Sequence, residues 1–284
     1  MIRDLKTLRW GRSLVLMASM ACGPETATTD SGTGTSTSNA ANSTDIPTGS
    51  STGAPVTCGR IHEGDLHVHD DTDLASLMDV ARVTGGVSIF MGDRDQRDLS
   101  FLGCLNTIDL GLSIDMNTRL ESTKGLGNLK SVQVISITEN GNLRVVTGFD
   151  QIRELIGFNM DANSALEEVQ FDSLETVGWM SIGFCQGTQA AAHHLSLTAL
   201  SGFSGLTTVG DLTLEGNEVL MSAGLLDALK ANGATTPLNT AIIRFNPLLP
   251  EATVNAQLDA LDVAYREVCG NAEGDPECYC IVGE

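Results

Sequence analysis

From residue 64 onward the chain repeats itself every twenty to thirty residues, and this period restricts its fold more than any other feature. Pairs of apolar residues flank one small or polar residue. They are Leu66/Val68, Val87/Ile89, Leu112/Ile114, Ile135/Ile137, Phe158/Met160, Met180/Ile182, Leu212/Leu214 and Ile243/Phe245, at steps of 21, 25, 23, 23, 22, 32 and 31 residues. Each pair has the two-residue period of a short strand buried on one side. Three residues beyond the second member stands Asn117, Asn140, Asn163 or Asn217, with Asp71 in that place in the first unit. Six beyond it stands Leu74, Leu120, Leu143, Leu166 or Leu220. A third apolar set then closes the unit, as in Leu126, Leu129, Val132 or Phe149, Ile152, Leu155. A unit this short cannot enclose a core, so stacked units must bury their apolar rows against one another.

The Asn at each turn is expected inside the stack, where its amide can bond backbone groups of adjacent coils. Glycines at 86, 111, 157, 178 and 210 fall just before the strands, where a sharp backbone turn is expected. The pattern L-x-I-x-x-N-x-x-L followed by GL..L..V resembles the leucine-rich repeat. Above all it resembles the receptor L domain, and NGNLRVVTGFDQIREL is its most characteristic stretch. That resemblance, over about 64–264, implies a mainly β fold. It would be a short right-handed β-helical or leucine-rich-repeat-like solenoid of about eight coils. The segments LLDALKANG and TVNAQLDALDVAYREV drift towards helix in the last coils. The resemblance also implies that ligands meet the sheet face, as a region rather than as particular residues.

Strand parity decides which side chains face outward. With the apolar pairs inward, the middle outward column reads His67, Ser88, Ser113, Ser136, Asn159, Ser181, Thr213 and Arg244. The next reads His69, Phe90, Asp115, Thr138, Asp161, Gly183, Glu215 and Asn246, and Trp179 belongs to the preceding one. The candidate ligand face is therefore Trp179, His67, His69, Ser113, Ser136, Asn159 and Arg244. The stretch GDLHVHDD at 64–71 is also how metal-dependent hydrolase barrels open. Such a site needs later histidines, and only His62, His193 and His194 remain, the last two adjacent in an insertion, CQGTQAAAHH. No nucleophile elbow, phosphate loop or His-Glu-x-x-His is present. No catalytic residue, metal or cofactor is expected.

The first 21 residues carry Arg3, Lys6, Arg9 and Arg12 before a short apolar run, Ser13 to Ala21. That run is far below the ~20 residues of a membrane span, and it reads as a secretion signal. It ends in SMAC, which resembles a bacterial lipobox. The resemblance implies acylation of Cys22, with attachment to the membrane through the lipid alone. Residues 22–57 are almost wholly Thr, Ser, Gly, Ala, Asn and Pro, and read as a disordered tether. Residues 58–284 then form the repeat domain, with a Cys-containing cap at about 265–284. Cys58, Cys104, Cys185, Cys269, Cys278 and Cys280 are an even set in an exported chain, which predicts disulfides without fixing their pairing.

The chain carries 16 basic and 36 acidic residues, a net charge of −20, and such a surface excludes nucleic acid as a partner. The expected function is non-catalytic recognition of a surface protein or glycan. The site of action would be outside the cytoplasm, at the bacterial envelope and on the outer membrane or cell surface. A polysaccharide-acting or metal-dependent hydrolase, and a structural envelope component without a discrete ligand, are the alternatives.

Overall fold

In the computed structural model the described residues are 57–183, 194, 196–234, 237–274 and 278. The expected signal, Cys22 and nearly all of the tether lie outside them, as do Cys185, His193 and Cys280. The described chain is mainly β, with two helices and open parallel sheets. A three-stranded sheet joins β1 (Arg60–His62), β3 (Val80–Val83) and β5 (Thr107–Ile108). Strands β8 (Val145–Val146) and β10 (Glu168–Val169) pair separately.

The nine-stranded sheet begins with β2 (Leu66–Val68), β4 (Val87–Ile89), β6 (Gly111–Asp115) and β7 (Val134–Thr138). It continues through β9 (Glu154–Asp161), β11 (Thr176–Ile182), β12 (Thr208–Glu215), β13 (Leu238–Arg244) and β14 (Val263–Cys269). Each of its strands pairs with the next in chain order, and all pairs are parallel. Parallel neighbours need long crossovers. Here four of the returns carry the short strands β3, β5, β8 and β10, and the last two contain α1 (Gly224–Ala231) and α2 (Glu251–Asp259). This arrangement is compatible with stacked coils.

Within the nine-stranded sheet, every strand from β2 to β13 places alternate apolar side chains in a single core. Register confirms the apolar pairs as far as Leu212/Leu214. The next pair differs from the expected Ile243/Phe245, because Leu212 lies opposite Ala241 and Leu214 opposite Ile243. Phe245 instead sits at the following turn with φ of 56°. The segment VAYREV likewise is strand rather than helix, with Val268 opposite Ile243, so the sheet has one rung more than the eight expected. Its β-branched and aromatic residues satisfy the open edge of β13, which a helix would leave unpaired. On the return side Phe149, Phe171 and Phe203 stack with centroids 4.6 and 5.8 Å apart, and Phe158 meets Phe171 edge-on at 5.0 Å.

Behind the sheet runs a buried row of asparagines. Asn140 Nδ2 donates to Ile114 O at 2.8 Å, to Thr138 O at 2.9 Å and to Asn163 Oδ1 at 3.1 Å. Its Oδ1 accepts from the Asn117 backbone N–H at 3.0 Å. Asn117 and Asn246 make the equivalent bonds, Asn217 makes the equivalent donations, and Asn271 Nδ2 reaches Ile243 O at 2.7 Å. Each amide thus satisfies main-chain groups that the turn leaves orphaned. The residue before each of these asparagines is left-handed: Met116, Glu139, Ala162, Gly216, Phe245 and Gly270.

Asp71 is a correction, since it is exposed and takes no part in this row. Among the described residues no earlier strand of the large sheet supplies carbonyls to it, and Arg94 instead bonds the carbonyls of Asp70 and Thr72 at 2.8 and 2.7 Å. Disulfides Cys58–Cys104 and Cys269–Cys278, with Cα separations of 5.3 and 5.6 Å, tie the two ends of the described domain.

Candidate functional site: the outward sheet face

Parallel pairing aligns outward side chains into three columns ~4.8 Å apart along the sheet. The first reads Gly86, Gly111, Val134, Gly157, Trp179, Asp211, Thr240 and Tyr265. The second reads His67, Ser88, Ser113, Ser136, Asn159, Ser181, Thr213, Ile242 and Glu267. The third begins at His69 and Phe90, runs through Asp115, Thr138 and Asp161, and reaches Glu215 and Arg244.

Most of the middle column is half-buried. Asn159 Nδ2 donates to Ser136 Oγ at 3.3 Å, while Ser113 and Thr138 both donate to the Asp115 carboxylate. Burial raises the Asp115 carboxyl above the ordinary carboxylate range, and the Ser113 hydroxyl opposes that rise. At the β2 end His67 and His69 are exposed, their rings nearly parallel with centroids 6.2 Å apart.

Trp179 is 39 % exposed. Its indole occupies the space above Gly157, where an added Cβ would lie 2.2 Å from Trp179 Cε2. That glycine is required for room, since its φ is not left-handed. The same holds for Gly178, where an added Cβ would meet Ile156 O at 2.6 Å. Both sit inside long strands, so the expected sharp turn just before a strand is corrected to close packing within one.

Arg244 is the main correction on this face. It is 7 % exposed and belongs to the third column, opposite Glu215, rather than to the middle one. The two-residue slip at Ala241/Ile243 moves it there. Its Nε donates to Glu215 Oε1 at 2.8 Å and its Nη1 to Glu267 Oε1 at 2.8 Å. Burial lowers the Arg244 pKa, but the bonds and charges of Glu215 and Glu267 outweigh it, so the guanidinium is held above its ordinary value. The side chain is committed to that triad and offers little to a ligand.

The same slip hid Asn246 and Asn271 as members of the turn row. Three residues past Ile243 and Val268 is the same rule that located Asn117, so the signal was present once the pairs were set correctly. His194 was passed over as half of an adjacent pair. It is fully buried, its Nε2 3.2 Å from Met160 O and its Nδ1 3.4 Å from Asn163 O. It therefore stands in the turn row where the interrupted coil has no described Asn.

Among the described residues one group brings three potential metal-ligating residues together: Glu267, Cys269 and Cys278. The two sulfurs are joined in a disulfide and offer no thiolate. Among the described residues His67 and His69 gather no third ligand of this kind. Comparison with protein-family models, curated proteins and solved structures finds no match to the chain.

Proposed function

We propose that this protein is a lipid-anchored recognition module of the bacterial envelope, a receptor-L-domain-like solenoid that binds a surface protein or glycan without catalysis. The observation that carries this reading is Trp179, a partly exposed indole seated on the backbone at Gly157 in the middle of a broad polar sheet face. An aromatic side chain already held in place loses little freedom on binding, which is why such residues anchor interfaces. Half-buried hydroxyls and an amide at Ser113, Ser136 and Asn159 run along the neighbouring column on the preceding strands, as groups that can exchange bonds with a ligand. The repeat period and the open run of parallel strands support the solenoid. Disulfides at both ends of the described domain support an oxidising compartment, and the signal-like leader with Cys22 supports the lipid anchor.

Pull-down from intact cells tests the reading. The native chain is expected to retain a specific surface fraction that the Trp179→Ala/His67→Ala double variant loses. Equal retention by both would remove the sheet face from the function, and retention of nothing by either would favour a structural envelope role. Labelling with a radioactive fatty acid is expected to mark the native chain and to fail on Cys22→Ala.

A further inference from the structure

We infer that the half of the outward face from β9 to β14 binds a basic segment of extended polypeptide. This rests on the recognition reading above and narrows its ligand. Geometry supplies the first argument. Gly157, Trp179, Asp211, Thr240 and Tyr265 follow one another in a single column on successive strands. Tyr265 is 56 % exposed and turns outward with Glu267, towards which its hydroxyl points at 3.4 Å. Three strand spacings separate the Trp179 and Tyr265 backbones, ~14 Å, which is about four residues of extended chain. Asp211 lies between them, exposed, with no ion-pair partner among the described residues.

Charge supplies the second. Among the described residues from β11 to β14 the outward columns carry Asp211, Glu215 and Glu267 against the cation Arg244. Arg244 is already shared between Glu215 and Glu267. Three carboxylates to one guanidinium leave an excess of negative charge among the described residues of these strands, with Asp211 its most accessible member. Aromatic faces and carboxylates both attract ammonium and guanidinium groups. An acidic polymer would be repelled, and a neutral glycan would gain nothing from the charge excess.

The test is titration of the full chain with a fluorescently labelled Lys/Arg-rich decapeptide, in parallel with a neutral peptide of equal length and a neutral oligosaccharide. The basic peptide is expected to bind alone and to weaken as ionic strength rises. Asp211→Asn is expected to cost roughly tenfold in affinity and Trp179→Ala roughly thirtyfold. Glu218→Gln, an exposed carboxylate at the turn, is expected to change nothing. No binding of the basic peptide, or binding indifferent to both face variants, would overturn the inference. Oligosaccharide binding lost in Trp179→Ala, with the peptide silent, would overturn it while leaving recognition by this face intact. Silence of all three probes, with no surface fraction retained by the native chain, would bring down both.

Discussion

The turn row has two halves that do the same work in different ways. From Asn117 to Asn163 the spacing is constant at 23 residues, and Asn117 and Asn140 make one set of bonds repeated. From His194 to Asn271 the row contains an imidazole, spacings of 29 and 25 residues, and two helices in the returns. The buried Arg244 triad and the exposed Trp179 and Tyr265 of the outward face also belong to this later part of the sheet, whereas Phe90 is exposed at its early end. The difference teaches that the row sets a bonding requirement rather than a residue. Where the requirement is met locally, returns can lengthen and the face can diversify.

Three sets of substitutions would break or sharpen that contrast. The largest effect is expected in the regular half. Asn140→Ala strips donors from two carbonyls and an acceptor from a buried N–H, at a cost of about 3–4 kcal/mol in urea-induced unfolding. His194→Asn in the irregular half should cost under about 1 kcal/mol, because an amide can reach the same Met160 carbonyl. Comparable losses at the two sites would mean that the imidazole does something other than substitute for Asn.

Next comes the buried triad. Arg244→Met is expected to cost about 3 kcal/mol by leaving Glu215 buried without its cation. Adding Glu215→Gln should recover most of that loss, and thermal melts of the single and double variants would show it. The smallest effect is at the left-handed position before each Asn. Gly216 and Gly270 occupy it without penalty, whereas Ala162 carries a Cβ there. Ala162→Gly should stabilise by about 0.5 kcal/mol, the relief of strain exceeding the added freedom of the unfolded chain. A destabilised variant would show that the Ala162 methyl contributes packing that offsets its conformation.

Much of this architecture was legible in the residues, because burial forces periodicity. An inward row must be apolar every second residue, and a turn with orphaned backbone groups must repeat a side chain that bonds them. Hence Leu66 through Leu214 and Asn117 through Asn217 could be placed from spacing alone. What failed was local register where the period stretched. Ile243 has apolar residues on both sides, Ala241 and Phe245, so alternation fits either frame, and only strand pairing with β12 chose between them. Arg244 changed column with that choice. Asp71 failed for another reason: the row bonds carbonyls of the preceding strand, and among the described residues the large sheet has no strand before β2, a boundary that a repeat pattern does not mark. Outward residues were the least legible, since solvent tolerates most side chains. The seat of Trp179 on Gly157 depends on two residues 22 positions apart becoming neighbours.

The regular half of the turn row also has a meaning for how such a chain changes over generations. Asn117, Asn140 and Asn163 lie one in-frame period of 23 residues apart, and each of the first two hands its neighbour the same contacts. A duplication or deletion of one period in the gene would rejoin like with like, leaving no orphaned turn at the seam. Length is then a heritable variable that shifts in whole units, independent of the drift in side chains that a partner reads.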